Sequence, residues 1–184
     1  TTGASNVAVG ALALDANTTA SYNTAVGQAA LSANTTGASN VAIGQAAMTA
    51  TTTGANNTAL GVAALQANTT ANANTAVGYS ALSANTTAIN NTAVGAQAGD
   101  AITTGRYNTL MGYDAGTDMT TGEFNVGFGG FAIQNITTVS NLTAVGYAAL
   151  SENTSASNCP LVSELLTNLE RKLVKLGKNE AVAK

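Results

Sequence analysis

The chain has 184 residues, 45% hydrophobic and only 8% charged, with a net charge of −3, no histidine and one cysteine. A lone cysteine excludes an internal disulfide framework, and the missing histidine removes the usual zinc clusters. Six basic residues are too few for the cationic stripe that nucleic acid requires, and no apolar run is long enough to cross a bilayer as a helix.

From the first residue a 17-residue unit recurs without a slip over residues 1–153. Glycine falls at Gly10, Gly27, Gly44, Gly61, Gly78, Gly95, Gly112, Gly129 and Gly146. Each unit opens on Thr-Thr, from Thr1-Thr2 to Thr137-Thr138, and carries alanine three residues after the glycine, from Ala13 to Ala149. Asparagine stands four before the glycine from Asn6 to Asn125, with Leu142 in the ninth unit. An invariant short period marks a stacked, quasi-one-dimensional fold, and 17 residues are too few for a helix pair. The expectation is an all-β fold, a parallel β-solenoid (β-roll) of nine 17-residue coils. Each coil would hold two short strands joined by Gly, Asn and Thr turns. At ~4.8 Å per coil the rod would be about 43 Å long.

The first strand of a coil reads Asn-Thr-Ala-Val-Gly, as in Asn23–Gly27. Val9, Val26, Ile43, Leu60, Val77, Val94, Met111, Phe128 and Val145 form one bulky ladder, so Phe128 is expected in the core. Ala8, Ala25, Ala42, Ala59, Ala76 and Ala93 form a small ladder on the opposite face. A strand apolar on both faces needs cover on both. One cover is the coil itself; the economical source of the other is a partner chain, which would put either the alanine or the Val/Thr face on the axis of the assembly. Leu14, Leu31, Met48, Leu65, Leu82, Ile133 and Leu150 form the second bulky ladder. The repeated glycine implies positive φ or a tight backbone pass. The repeated asparagine suits a turn, and stacked Asn and Thr can hydrogen-bond along the rod.

The pattern falters between Gly99 and Phe131, where Gly99 and Gly116 stand in place of leucine. Five of the seven charges of residues 1–153 lie between Asp100 and Glu123. Five of its eight aromatics, Tyr107, Tyr113, Phe124, Phe128 and Phe131, fall in the same stretch. Aromatics beside carboxylates and an arginine are the chemistry of glycan or protein contact. The candidate receptor-contact residues are Arg106, Tyr107, Asp114, Asp118, Glu123 and Phe124. The plainer alternative is local repacking, with aromatics filling the space of the lost leucines. Asp114–Asp118 lacks the run of ligands of a calcium loop, so no metal and no cofactor is expected. Without histidine, a nucleophile–base pair or a phosphate loop, an enzyme is not expected.

After a neck at 154–160, Pro160 suits the first turn of a helix over 161–177. Val162, Leu166, Leu169, Leu173 and Leu176 alternate spacings of four and three, the seam of a short coiled coil that, held together by the assembled roll, would form a bundle or stalk. The alternative is an amphipathic helix folded back to cap the solenoid. Residues 178–184 are expected to fray.

The phrase Asn40-Val-Ala-Ile-Gly-Gln-Ala-Ala-Met-Thr-Ala50 resembles the head repeat of YadA-like trimeric autotransporter adhesins. Asn74–Thr87 is similar to repeat arrays of bacteriophage tail-fibre proteins. The resemblance covers residues 1–153 and implies a left-handed β-roll, trimeric about a common axis, in a virion fibre or on a bacterial cell surface. It further implies host attachment, with a cell-surface glycan or protein and other fibre or virion proteins as partners. Against this fibre reading stand an adhesin head and an ice-binding solenoid suggested by the Thr ladders. The latter is weakened because adjacent threonines diverge in an extended chain.

Overall fold

The computed structural model describes residues 2–152; the neck, the expected helix and its seam from Val162 to Leu176 lie outside the described residues. Nine three-residue strands form one parallel sheet in chain order. They are β1 (Val7–Val9), β2 (Thr24–Val26), β3 (Val41–Ile43), β4 (Thr58–Leu60), β5 (Thr75–Val77), β6 (Thr92–Val94), β7 (Thr109–Met111), β8 (Val126–Phe128) and β9 (Thr143–Val145). Each residue pairs with the one 17 further on, as Ala25 with Ala42 and Val26 with Ile43. The described residues are therefore an all-β parallel solenoid, and no helix occurs among them. Positions within a coil are numbered below from 1, the first threonine, to 17.

The expected second strand is absent. After the glycine, each coil makes two successive tight turns. The Ala30 N–H donates to the Gly27 carbonyl at 3.3 Å, and the Asn34 N–H to the Leu31 carbonyl at 3.2 Å. The reason lies in what must be buried. Ala30 and Leu31 are adjacent, and both are fully buried. An extended strand sends neighbours to opposite faces and cannot do this. A left-handed residue at position 14 turns the leucine inward beside the alanine, with φ of 53° at Leu31 and 51° at Leu65 and Leu82. A left-handed leucine costs roughly 1–2 kcal/mol. Burying its side chain returns about 1.5–3 kcal/mol, and the rungs stay bonded. Ala29 N–H donates back to Ala11 O at 2.8 Å, while Leu31 N–H donates forward to Ala47 O at 3.0 Å.

The interior is narrow. The alanine ladder of the strand faces inward, with Ala25, Ala42, Ala59, Ala76 and Ala93 fully buried against the position-13 alanines and position-14 leucines. The bulky ladder faces outward, and Phe128 is 50% exposed rather than a core residue. Of the two faces open to a trimer axis, the alanine face is thus already covered by its own coil.

Where the leucines are lost, the core is refilled by aliphatic residues and not by aromatics. A Cβ on Gly116 would lie 2.9 Å from Leu110 Cδ1, and one on Gly99 would lie 2.8 Å from the same atom. Leu110 takes the alanine position of β7 and occupies the space of both leucines. In the next coil the exchange reverses: Gly127 takes the alanine position, and its Cβ would lie 2.9 Å from Ile133 Cγ1. The core stays filled across neighbouring coils rather than within each one, with Ile102 Cδ1 also 3.0 Å from a Cβ on Gly99, as close packing requires.

Asparagine at position 6 is a column of buried bridges, not a turn residue; the left-handed residue is the one before it, such as Tyr22 at φ 63°. Asn74 Oδ1 accepts the Asn91 N–H at 2.9 Å, and Asn74 Nδ2 donates to the Ala88 carbonyl at 2.8 Å. The column runs from Asn6 to Asn125, whose Oδ1 accepts the Leu142 N–H at 2.9 Å. Replacing Asn74 by Ala leaves the Asn91 N–H without that acceptor, while Ala88 O keeps its bond from Asn85 Nδ2 at 3.1 Å. The expected loss is about 1–3 kcal/mol. Chemical denaturation should show it, with Asn72→Ala, on an exposed side chain, as the milder comparison.

Candidate recognition surface

From the second coil onward, positions 6 and 8 are buried while positions 5, 7, 9 and 11 are not, the alternation a pleated strand imposes. The outward residues make one face, four columns wide, along the rod. Fifteen large hydrophobic side chains are exposed among the described residues, and fourteen of them stand in these four columns; Leu12 is the exception. All seven charged residues of 1–153 avoid them: Arg106 and Glu123 are at position 4, Asp114 at 12, Asp15 and Asp100 at 15, and Asp118 and Glu152 at 16. Apolar and charged residues are therefore sorted onto different sides of the rod.

Of the six candidate contact residues, Arg106, Tyr107, Glu123 and Phe124 stand at one border of the apolar face and Asp114 at the other, while Asp118, at position 16, lies on neither border. Arg106, Tyr107, Glu123 and Phe124 stand before the strand. Arg106 Nε donates to Glu123 Oε1 at 2.8 Å, and this pair raises the Arg106 pKa. The Tyr107 and Phe124 rings stack at 5.0 Å with an interplanar angle of 4°, and are 45% and 51% exposed. A solvated ion pair adds little to stability, but it fixes where the guanidinium and carboxylate sit. Both pairs are ladders, made by equivalent positions of β7 and β8 coils.

Asp114 and Asp118 lie beyond the strand, with Asp100 and Tyr113. Asp100 Oδ1 accepts from the Thr117 hydroxyl at 2.6 Å. Partial burial raises the Asp100 pKa, the Thr117 bond opposes this, and the charges of Asp114 and Asp118 add to the rise. The Asp114 carboxylate raises the Tyr113 pKa through a hydrogen bond and its charge. Phe131 lies edge-on between Tyr113, at 5.3 Å, and Tyr147, at 5.5 Å. The aromatics of this stretch thus face outward, where sequence offered either surface or core. The sequence offered the Val/Thr columns of positions 7 and 9 as one of two interface faces; their extension to positions 5 and 11 was missed, and the absence of charge from all four was the signal that reveals it.

A carboxylate whose pKa is raised by folding weakens the fold while it is charged. Stability associated with Asp100 is present below its unfolded value, 3.8, and is lost as pH rises through the higher folded value. Asp100→Asn is therefore expected to raise the melting temperature at neutral pH and to have no effect at pH 3, measured by circular dichroism.

No group of three or more His, Cys, Asp or Glu that could hold a metal occurs among the described residues, and no helix long and apolar enough to cross a membrane occurs among them. The position-1 threonines from Thr18 to Thr120 are occupied within the rod, as Thr69 Oγ1 donating to Thr86 O at 3.0 Å, while the position-2 threonines, from Thr2 to Thr138, are exposed in every coil. Comparison with protein-family models, with curated proteins and with solved structures gives no match.

Proposed function

We propose that this chain is a segment of a homotrimeric attachment fibre, without catalytic activity, and that the fibre belongs to a bacteriophage virion. The observation that carries the trimer is the sorting of side chains: fourteen of fifteen exposed large hydrophobics on one face, and no charge among them. Contiguous apolar patches of this kind mark interfaces. The face is as regular as the rod, so its simplest partner is an identical rod in the same register. The phage assignment rests on the resemblance of Asn74–Thr87 to tail-fibre arrays, with the head of a bacterial surface adhesin as the alternative.

In this reading the stacked coils act as a stiff spacer, and coils seven and eight, where Arg106, Tyr107, Glu123 and Phe124 gather, make contact with a cell-surface glycan or protein. Light scattering should give three times the chain mass. Labelled protein should bind a restricted set of bacterial cells, and Arg106→Ala with Glu123→Ala should lower binding without altering the melting temperature. A folded monomer would defeat the trimer; a trimer that binds no cell would leave a spacer without a receptor. The second reading, ice binding, rests on the exposed position-2 threonines, which form one column where a flat face needs two. Absence of ice-recrystallisation inhibition removes it.

A further inference from the structure

We infer that the candidate contact residues on the two borders of the apolar face, separated within one chain, meet between chains. The site is then composite: Arg106, Tyr107, Glu123 and Phe124 of one subunit face Asp114 of the next. The inference rests on the trimer proposed above and adds which edges join.

The geometry follows from the width of the outward face. From position 5 to position 11 there are six residue steps, or ~20 Å at ~3.3 Å per step. Three such faces closed into a triangular prism put the axis ~6 Å from each backbone, using that same rise per residue. Sheets pack ~10 Å apart, so half the gap is ~5 Å. The Val, Thr and Leu side chains of positions 7 and 9 therefore span the distance to the axis. Cyclic symmetry makes each contact heterologous, so the position-11 edge of one chain meets the position-5 edge of its neighbour.

At three of the nine levels the side chains on the two edges differ in size as this pairing needs. At one level of the rod, Ala73 stands on one edge and Tyr79 on the other; at others Phe124 stands opposite Gly130, and Asn141 opposite Tyr147. These residues lie on opposite borders of a ~20 Å face, so they gain nothing from each other within one chain. Around a prism with its coils in register, the large side chain of one edge fills the space beside the small one of the next. In coil seven the edges carry Tyr107 and Tyr113. Position 4 borders the first edge and position 12 the second, which brings the Arg106–Glu123 pair of one chain alongside the neighbour's Asp114.

The test is cysteine crosslinking in the full chain carrying Cys159→Ser, with a short bis-maleimide and denaturing gels. One variant carries Tyr107→Cys and Tyr113→Cys. A second, away from the candidate site, carries Ala73→Cys and Tyr79→Cys. A control carries Thr53→Cys and Gln66→Cys, exposed and off the apolar face. Covalent trimers from the first two variants, and none from the control, are expected. Trimers by light scattering that fail to crosslink in both test variants overturn the edge pairing and leave the trimer standing. A monomer by light scattering overturns the trimer itself. Should the first variant not fold, the second decides alone.

Discussion

Gly78→Ala is expected to be among the most destabilising single changes in this chain. Gly78 has φ of 138°, a region that glycine alone enters readily, at a cost of about 1–3 kcal/mol for other residues. A Cβ there would also fall onto the carbonyl of Gly95 in the next coil. Neither coil can retreat, because Gly78 N–H donates to Leu60 O and Gly95 N–H to Val77 O, both at 2.8 Å. The combined loss should exceed ~4 kcal/mol, a size reached only through a named structural fault. At ~2–4 °C per kcal/mol for a chain of this length, the melting temperature should fall by about 10 °C or more. Gly146→Ala is the matched comparison. Its φ is 128°, and among the described residues nothing lies within 4 Å of the added Cβ. It should lose only the backbone term, about 1–3 kcal/mol. Equal losses for the two variants would show that close approach of the coils does not set the glycine period.

Val77→Asp should instead dissolve the assembly and spare the coil. Val77 is at position 9, on the outward face, with its side chain outside the solenoid core. In the proposed trimer one substitution places three carboxylates at a single level around the axis. Each would lose solvent without gaining a partner, at several kcal/mol apiece, so the effect is multiplied by symmetry. Light scattering should return one chain mass, while the circular dichroism spectrum keeps its shape. Retention of the trimer by both Val77→Asp and Leu60→Asp would place the axis on another face.

The period, the parallel stacking and the register were open to reading because one strand position repeats nine times without insertion. The direction of the faces was not. Alternation distinguishes two sides of a strand without saying which is inside, and alanine and valine are both apolar. Volume decides it: Leu31, Leu65 and Leu82 enter from the far side, leaving room only for Ala25, Ala59 and Ala76 opposite. The second strand failed for a related reason. Ala30-Leu31 looks like part of an apolar strand, but burying both neighbours demands a left-handed leucine, against its local preference. In the candidate site, the clustering of charge and aromatics was visible as composition. The stacking of Tyr107 on Phe124, 17 residues apart, follows directly from the period. That Leu110 and Ile133 would refill the core, freeing Phe128 and Phe131 to face outward, needed three-dimensional packing.

The rung-by-rung hydrogen bonding also has a mechanical side. In a fold where each coil touches only its neighbours, tension along the axis loads the outermost rung first. Every coil is held to the next by a similar set of bonds, as Thr24 N–H to Asn40 O and Thr58 N–H to Asn74 O, both at 2.8 Å. A tethered rod would then yield in equal steps. Each step frees 17 residues, about 58 Å of extended chain at ~3.4 Å per residue, less the ~5 Å the coil occupied. In the proposed fibre such a rod would absorb a pull as a series of small, repeatable extensions in place of one abrupt break.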